Sequence, residues 1–144
     1  MPRLDAERIG LWRQLCITST ALQRRVETQL QEEHFLSLAW FECLAAMRDA
    51  GGTMRVHELC EVLDELPSSL SRRLDRLEEE GYVRRKHTPV ADDRRAVTIS
   101  LTAAGRTAWR DANITFRRMV QSHFAQHLTD TDIAALQRVF TKLR

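Results

Sequence analysis

The fold predicted for this chain is decided by residues 67–102, PSSLSRRLDRLEEEGYVRRKHTPVADDRRAVTISLT. The first part of the stretch predicts a helix, because Leu70, Leu74 and Leu77 recur at the i, i+4 and i+7 spacing of a single helical face. At about 100° per residue, the opposite face collects serine and arginine side chains. A helix with an apolar back and a Ser/Arg front has the composition needed to lie in a DNA major groove. The residues interpreted as DNA contacts on this helix are Ser68, Ser69, Ser71, Arg72, Arg73 and Arg76.

The second part of the stretch predicts a β-hairpin. Gly81 occupies the position that glycine favours just past a helix C-terminus, so we expect the helix to end there. Residues 82–87 and 97–101 have the composition of two strands around a polar loop. Apolar and polar residues alternate in the second strand, which is the period of a half-buried strand. A helix followed by such a hairpin is the order of elements in a winged helix-turn-helix.

Positive charge is concentrated in this hairpin. The whole chain has 22 Lys and Arg against 20 Asp and Glu, a net charge of +2 that is weak support for nucleic-acid binding. Residues 84–95 contain five basic and two acidic side chains, hence a local net charge of +3. A local basic feature on a nearly neutral chain suits focused contact with phosphates. The alternative interpretation is that these arginines only form a solvated strand surface.

Short helices are predicted before this stretch. Ser37 is placed to cap one helix, and the Gly51-Gly52 pair supplies the next turn. Residues 56–63 predict a further short helix. Residues 64–66 then supply a turn of about the three to four residues that a helix-turn-helix uses.

Longer helices are predicted at both ends of the chain. Residues 5–31 repeat apolar side chains at spacings of three and four, which predicts a long amphipathic helix. After the hairpin, Thr102 is placed to cap a helix that runs to about residue 128, and Thr129 or Asp130 to cap a last helix. The apolar stripes of these helices flank a winged module that already has its own core. A second copy of the chain is the simplest surface to bury them, and packing within one chain is the alternative.

The predicted fold class is therefore mainly α with a small β-wing. We expect a winged helix-turn-helix DNA-binding domain over residues 35–106. Residues 1–34 and 107–144 are expected to form a helical dimerisation region that flanks it. A DNA reader with two-fold symmetry requires such a dimer.

Two segments of the chain resemble the winged helix-turn-helix of the MarR family of bacterial transcription regulators. They read RVHELCEVLDELPSSLSRRLDRLEEEGYVRR and DDRRAVTISLTAAG. The similarity includes the helix, the wing with its acidic–basic tip, and the LTAAG exit into the next helix. Weaker similarity continues through LSLAWFECLAAM and the flanking helices, so nearly the whole chain is covered. The DRR-type tip followed by LT-x-x-G at this spacing is fairly specific, whereas the helix alone is not.

The resemblance implies a homodimer in which residues 68–76 of each protomer form the recognition helix. Arg95, at the basic end of the wing tip, would enter the minor groove while Asp93 holds its guanidinium in place. A narrow, A·T-rich minor groove attracts arginine through its deepened negative potential. The wing residues expected closer to phosphates are Arg84, Lys86 and Arg94.

One departure from the family concerns the turn before the recognition helix. Asp64 and Glu65 stand where the family often has a glycine and an apolar residue. Two carboxylates near the DNA phosphates would weaken binding unless they point away or pair with Arg72 or Arg73.

These residues predict a sequence-specific transcriptional regulator, and a repressor in particular, that binds a pseudo-palindromic operator in double-stranded DNA. By the resemblance, a small aromatic or phenolic ligand would bind where the dimerisation helices meet the winged domain and release the protein from DNA. Trp12, Cys16, Trp40 and Phe41 are the candidates to line this effector pocket. The alternative for aromatic residues at helical positions is that they belong to the core.

Two other functions stay open. Cys16 has a placement similar to the reactive cysteine of hydroperoxide-sensing family members, which makes a redox-sensing regulator one alternative. Those members also position tyrosines around the thiol, and the only tyrosine here is Tyr82, in the wing. The other alternative is a winged-helix protein-interaction module without specific DNA binding. A DNA reader should place Arg72, Arg76 and Arg95 on one continuous face, whereas an interaction module need not.

Several classes of function lack their motifs. No glycine-rich phosphate loop, nucleophile elbow or zinc-hydrolase pair is present in the sequence, so we expect neither an enzyme nor a cofactor. His123 and His127 have the i, i+4 spacing of a two-histidine metal pair, but no third ligand stands nearby, so we expect no metal. No apolar run approaches the ~20 residues of a membrane span, and no secretory signal opens the chain. Three cysteines in apparently helical segments argue against a disulfide framework, and we expect a cytoplasmic protein.

Overall fold

The computed structural model describes residues 3–87 and 97–144, and its elements follow the predicted order. The helices are α1 (Ala6–His34), α2 (Leu38–Asp49), α3 (Val56–Leu63), α4 (Pro67–Glu79), α5 (Ala103–His123) and α6 (Asp130–Leu143). The strands are β1 (Thr53–Arg55), β2 (Val83–His87) and β3 (Val97–Leu101). No helix in this described part is both long enough and apolar enough to cross a membrane.

The later helices begin at the capping residues that the sequence predicted. The Ser37 hydroxyl accepts a hydrogen bond from the backbone N–H of Trp40 at 3.1 Å and caps α2. The Thr102 hydroxyl accepts one from the Gly105 N–H at 3.0 Å and caps α5. Thr129 begins α6 as part of a reciprocal capping box. Each cap satisfies a backbone donor that has no partner within its helix, and contributes about 1 kcal/mol.

Two helix ends differ from the prediction. α1 continues past the predicted end at residue 31. α5 ends at His123 instead of near residue 128, because Phe124 leaves helical geometry with φ −133° and ψ −68°. A single 3₁₀ turn, Ala125–His127, follows it. The prediction of a continuous helix to residue 128 is therefore wrong.

This break changes the geometry of the two histidines considered as a metal pair. His123 closes α5, whereas His127 lies in the 3₁₀ turn. The His127 ring N–H donates to the carbonyl of Ser122 at 3.0 Å. The two rings are consequently not stacked one turn apart on a single helix.

The three strands form one antiparallel sheet in the order β1-β3-β2. Ile99, at the centre of β3, pairs with Met54 of β1 on one side and Arg85 of β2 on the other. Ile99 and Leu101 are buried, as the alternation in this strand predicted. β1 was not predicted from the sequence, because its three residues are too few to show a period.

Two groups of buried side chains hold these elements together. The first fills the winged region, where the leucines of α4 pack against α2, α3 and the sheet. The second joins α1 to α2 and α5, and its buried members are Val26, Leu30, Leu36, Phe41 and Ala112. The rings that pack against both groups are Trp40, Tyr82 and Trp109. The winged region is therefore attached to α1 and α5 by continuous packing.

The junction between the hairpin and α5 explains the LTAAG segment. Thr102 donates its hydroxyl to the Gly81 carbonyl at 2.6 Å and its backbone N–H to the Tyr82 carbonyl at 3.1 Å. Gly105 then lies directly against the backbone of Tyr82. A side chain at this position would collide with the Tyr82 carbonyl, so the close approach of α5 to the hairpin requires glycine.

A polar network fixes the end of α1 to α5. Thr115 is 3% exposed, and its hydroxyl donates to Glu33 at 2.6 Å. Because that hydroxyl has only one proton, the His34 Nε2 at 2.7 Å must donate to Thr115. Arg118 donates to the other Glu33 oxygen at 2.6 Å. Hydrogen bonds from Thr115, Gln29 and Arg118 lower the pKa of Glu33 to about 2.

The two ends of the chain leave apolar side chains uncovered. On the first half of α1, Trp12 is 66% exposed and Ile17 is 70% exposed. α6 has no buried residue, and its Phe140 is 50% exposed. Within a single chain, the apolar side chains of the first half of α1 and of α6 are therefore largely uncovered.

Candidate nucleic-acid interface

α4 presents one polar face to solvent. Its apolar face is used entirely by the core, since Leu70, Leu74 and Leu77 are each 0% exposed. Pro67 occupies the first turn, where its missing N–H would have no partner within the helix. The exposed side chains that remain include Ser68, Ser69, Ser71, Arg72 and Arg76. A helix that exposes serine and arginine while it buries leucine is suited to insertion into a groove of DNA.

Arg73, predicted as a DNA contact, has a different environment from its neighbours. Its side chain is 17% exposed, and its Nη1 lies 2.7 Å from Glu65 Oε2 as an ion pair. The same nitrogen donates to the Cys43 sulfur at 3.5 Å. Burial raises the pKa of the Cys43 thiol, so the sulfur stays neutral and accepts this hydrogen bond. Arg73 therefore ties α4 to α2 and to the turn before α4, and it is not a free cation.

The ion pair between Arg73 and Glu65 also compensates one of the two carboxylates in the turn before α4. Glu65 is engaged with Arg73, which is one of the two partners that the sequence analysis considered. Asp64 is exposed and ends α3 in the left-handed conformation, at φ 52°. The Glu65 charge is therefore compensated within the protein before any DNA phosphate approaches.

β2 carries two exposed cations and one that is tied to α4. Arg84 and Lys86 are exposed. Arg85 points to the other side of the strand, where its guanidinium pairs with Asp75 and its backbone N–H donates to Glu78 at 2.7 Å. These contacts hold the hairpin against α4. Arg84 and Lys86 consequently keep a defined position relative to the exposed face of that helix.

This positioning role of Arg85 was not predicted from the sequence. Two signals were present in the sequence. Asp75 and Glu78 have the i, i+3 spacing that places two carboxylates side by side on a helix. Arg85 is two residues from the buried Val83 in the strand, so the two side chains lie on the same, inward face of the sheet.

The wing-tip residues predicted to contact DNA cannot be positioned in the same way. Asp93, Arg94 and Arg95 lie outside the described residues. Their roles stay predictions from the sequence and from the family resemblance.

The four residues predicted for the effector pocket do not gather around one cavity of the single chain. Trp12 and Cys16 are exposed on the first half of α1. Phe41, on α2, is 1% exposed and packs in the core beside Val26. Val26 lies on α1, as Trp12 and Cys16 do. Val26 lies about 21 Å along the helix axis from Trp12, at about 1.5 Å per residue. Trp40 is half-buried between the two core groups.

A separate apolar cleft of about 230 Å³ lies between α1, α2 and α5. Its apolar walls include Leu22, Val26, Leu38, Phe116, Met119 and Val120. The Phe116 ring is 4.6 Å from the Phe41 ring, centroid to centroid. Phe41 therefore supports one wall of this cleft from behind and does not line it.

Comparison with known proteins gives one family. The profile of the MarR family matches residues 36–96, which include the elements from α2 to β2. The chain is 33% identical over 106 residues to the HTH-type transcriptional regulator PecS of Dickeya dadantii. The alignment covers 72% of this chain and 62% of PecS, so the chain spans less than two thirds of that relative's length.

Two similar structures were solved with DNA. Sco3205, a MarR family transcriptional regulator from Streptomyces coelicolor in complex with DNA, matches with a TM-score of 0.89 and 26% identity. The match covers 99% of this chain and 89% of Sco3205. A mutant MarR from E. coli complexed with operator DNA matches with a TM-score of 0.83 and 26% identity, over 99% of both chains. The winged helix-turn-helix fold predicted from the sequence is confirmed.

Proposed function

Because this chain belongs to the MarR family of transcriptional regulators, whose matched members are regulators and not enzymes, we propose that it binds a specific DNA sequence as a homodimer. The observation that carries the proposal is the exposed Ser/Arg face of α4, opposite three fully buried leucines. Two protomers related by a two-fold axis would recognise an inverted repeat with half-site centres about 10 base pairs apart. The protein would act in the cytoplasm, where a bacterial chromosome lies.

The exposed residues of α4 would read bases and position the helix. Arg72 and Arg76, at i and i+4 on the exposed face, are the candidates for bidentate contact with guanine. Ser68, Ser69 and Ser71 would contact phosphates or bases near the start of the helix. Arg73 is left out of this set, because Glu65 and Cys43 engage it within the protomer.

The wing would contact the neighbouring minor groove. Arg84 and Lys86 are exposed on β2 and are held against α4 through Arg85, which supports a role in phosphate contact. Arg95 would enter the minor groove with Asp93 orienting it, and Arg94 would lie nearer to a phosphate. The roles of these three rest on the sequence and the family resemblance.

The exposed apolar ends support the dimer. Residues 1–34 and 107–144 would form the dimerisation region and residues 35–106 the DNA-binding domain, with α5 connecting the two. α1 and α6 expose more apolar side-chain surface than a monomeric protein usually leaves in contact with water. A second copy of this chain would bury them.

Repression and its release by an effector are the finer part of the proposal. A repressor needs only to occupy its operator, which the exposed face of α4 and the wing would do. A small aromatic or phenolic ligand would fit the apolar cleft between α1, α2 and α5 better than a site formed by Trp12, Cys16, Trp40 and Phe41.

Two alternative functions make different demands on the protein. A redox sensor that uses Cys16 needs a stabilised thiolate, and no hydrogen bond or ion pair to that thiol is present among the described residues. An interaction module would not need base-specific arginines. Neither alternative has an observation that favours it over DNA recognition.

Selection from random duplex DNA, followed by titration of one variant, tests this proposal. Arg72→Ala should fold normally and lose about 1–3 kcal/mol of affinity for the selected operator, with the loss confined to particular base pairs. Arg55→Ala, an exposed arginine on β1 outside the proposed DNA contacts and the dimerisation region, is the matched control and should bind as the unmodified chain does. Failure to enrich any sequence, or an unchanged operator affinity of folded Arg72→Ala, would contradict it.

A further inference from the structure

Three arginines converge on a cleft that contains none of the proposed DNA contacts. Arg48 comes from the end of α2, and Arg106 and Arg110 come from the first turns of α5. With the Gly51-Gly52 turn they surround a volume of about 390 Å³. The remaining lining residues are Leu101, Thr107 and Trp109.

Two of the guanidinium groups are held by specific packing. The Arg48 guanidinium carbon lies 4.5 Å from the centroid of the Trp109 ring, which is the geometry of a cation–π contact. The Arg106 guanidinium lies against Gly52, and a Cβ at that position would collide with it. Gly52 has a φ of +98°, which L side chains rarely adopt. A glycine at position 52 thus makes the room that the guanidinium occupies.

The charge of this arginine cleft is only partly compensated. Arg48 and Arg110 each approach the carboxylate of the next residue, Asp49 at 3.4 Å and Asp111 at 3.3 Å. Both pairs are well exposed, so water weakens them. Arg106 has no carboxylate within 4.0 Å in residues 3–87 and 97–144. The cleft therefore keeps an excess of one positive charge.

An indole N–H beside the cleft also lacks a partner. Trp109 Nε1 is buried and has no hydrogen-bond acceptor within the part of the chain that the structure describes. A buried donor without an acceptor is costly, but this nitrogen is not accessible from the cleft, so it does not itself contact a ligand there. The ring that carries it is the one on which Arg48 stacks.

We propose that the arginine cleft binds a small organic carboxylate. Guanidinium groups match the planar, two-oxygen geometry of a carboxylate better than any other cation does. The Leu101 side chain and the Trp109 ring give the cleft apolar walls for the rest of the molecule, as small-molecule sites usually have. The cleft is large enough to hold a ligand the size of benzoate.

The position of the cleft separates this ligand from the DNA. The Leu101 N–H donates to the Gly52 carbonyl at 2.8 Å, where β3 ends and α5 is about to begin. This is the end of β3 opposite the wing loop, so the site is at the base of the hairpin. Its proposed occupancy does not depend on the proposed DNA-binding function.

The test is a titration followed by the three indole N–H resonances of ¹⁵N-labelled full-length protein. Sodium benzoate at constant ionic strength should shift the Trp109 signal, identified by its loss in Trp109→Phe, in a saturable manner. Benzamide, the uncharged analogue of the same size, should not. Arg106→Gln should weaken benzoate binding about tenfold or more, because it removes the arginine without a carboxylate partner. Arg117→Gln, on the same helix but outside the cleft, is the control and should bind benzoate normally.

Several results would overturn the proposal. They are the absence of saturation by about 10 mM benzoate, equal binding of benzamide, and unchanged binding in Arg106→Gln. Displacement of benzoate by short duplex DNA, with the same shift of the Trp109 signal, would make the arginines a phosphate contact and would also refute it. If Arg106→Gln does not fold, Arg110→Gln takes its place with the same expected loss.

Discussion

Helices α4 and α6 are nearly equal in length, with 13 and 14 residues, and both carry an apolar stripe. The stripe of α4 is completely buried within its own chain. The stripe of α6 is not, since Ile133, Val139, Phe140 and Leu143 are 43% to 70% exposed.

This difference shows that an amphipathic sequence pattern does not by itself determine whether the apolar face of a helix is buried within its own chain. α4 has α2, α3 and the sheet on its apolar side, so its polar face is the only one left for a partner. α6 has no such neighbours, so its apolar face is the one left for a partner. The described part of the winged region thus buries its apolar side chains within one chain, whereas the chain ends leave apolar surface that the proposed dimer would bury.

The largest expected difference in stability comes from making the same substitution, Leu→Ala, in each of these two helices. Leu74→Ala should lower the free energy of unfolding by about 2–5 kcal/mol at every protein concentration, because it leaves a cavity in a closed core. Leu143→Ala should cost less than about 0.5 kcal/mol in the dissociated chain. Its effect should instead appear as a stronger dependence of the melting temperature on protein concentration. Urea and thermal unfolding at several concentrations measure both.

An equal loss of unfolding free energy in Leu74→Ala and Leu143→Ala at low protein concentration would contradict this difference between the helices. It would mean that α6 packs within its own chain as tightly as α4 does. A concentration-independent melting temperature of the unmodified chain would show that no assembly buries α6.

A smaller effect is expected from the ion pair that positions α4. Glu65→Gln should cost about 1–3 kcal/mol, because Arg73 is left largely buried without its carboxylate. Arg73→Gln should cost a similar amount, and the double variant should lose less than the sum of the two. Arg72→Gln, the exposed neighbour, should change stability by less than about 0.5 kcal/mol. Additive losses in the double variant would show that the pair does not position the helix.

The smallest effect concerns pH and the attachment of α1 to α5. The folded pKa of Glu33, about 2, lies below its usual value of 4.5, so the carboxylate stabilises the fold above that usual value. This contribution is lost as the pH falls through the folded pKa. The stability difference between the unmodified chain and Glu33→Gln should therefore shrink between about pH 5 and pH 2. Glu32→Gln, next to this network but not part of it, is the control, and an equal pH response of the two variants would contradict the assignment.

The sequence predicted best the elements whose residues interact locally or repeat with a clear period. α3 and β3 have the predicted bounds, and the caps of α2, α5 and α6 are the predicted residues. β1 was missed, because pairing with β3 alone defines it. The end of α5 was missed because no glycine or proline marks Phe124.

The candidate sites were harder to predict where distant residues meet. The exposed face of α4 follows from helical period alone, so Arg72 and Arg76 were identified correctly as solvent-facing. The engagement of Arg73 with Cys43 and the stacking of Arg48 on Trp109 join residues that no local pattern connects. The four predicted effector residues are likewise spread over α1 and α2 of one chain, and their joint role stays a prediction.

Sedimentation equilibrium, with and without the selected operator, tests the central claim most directly. The account predicts that the free protein at micromolar concentration has twice the 16.7 kDa mass of one chain, and that one inverted repeat binds two chains. A chain that stays at 16.7 kDa and still binds the full operator tightly would contradict it.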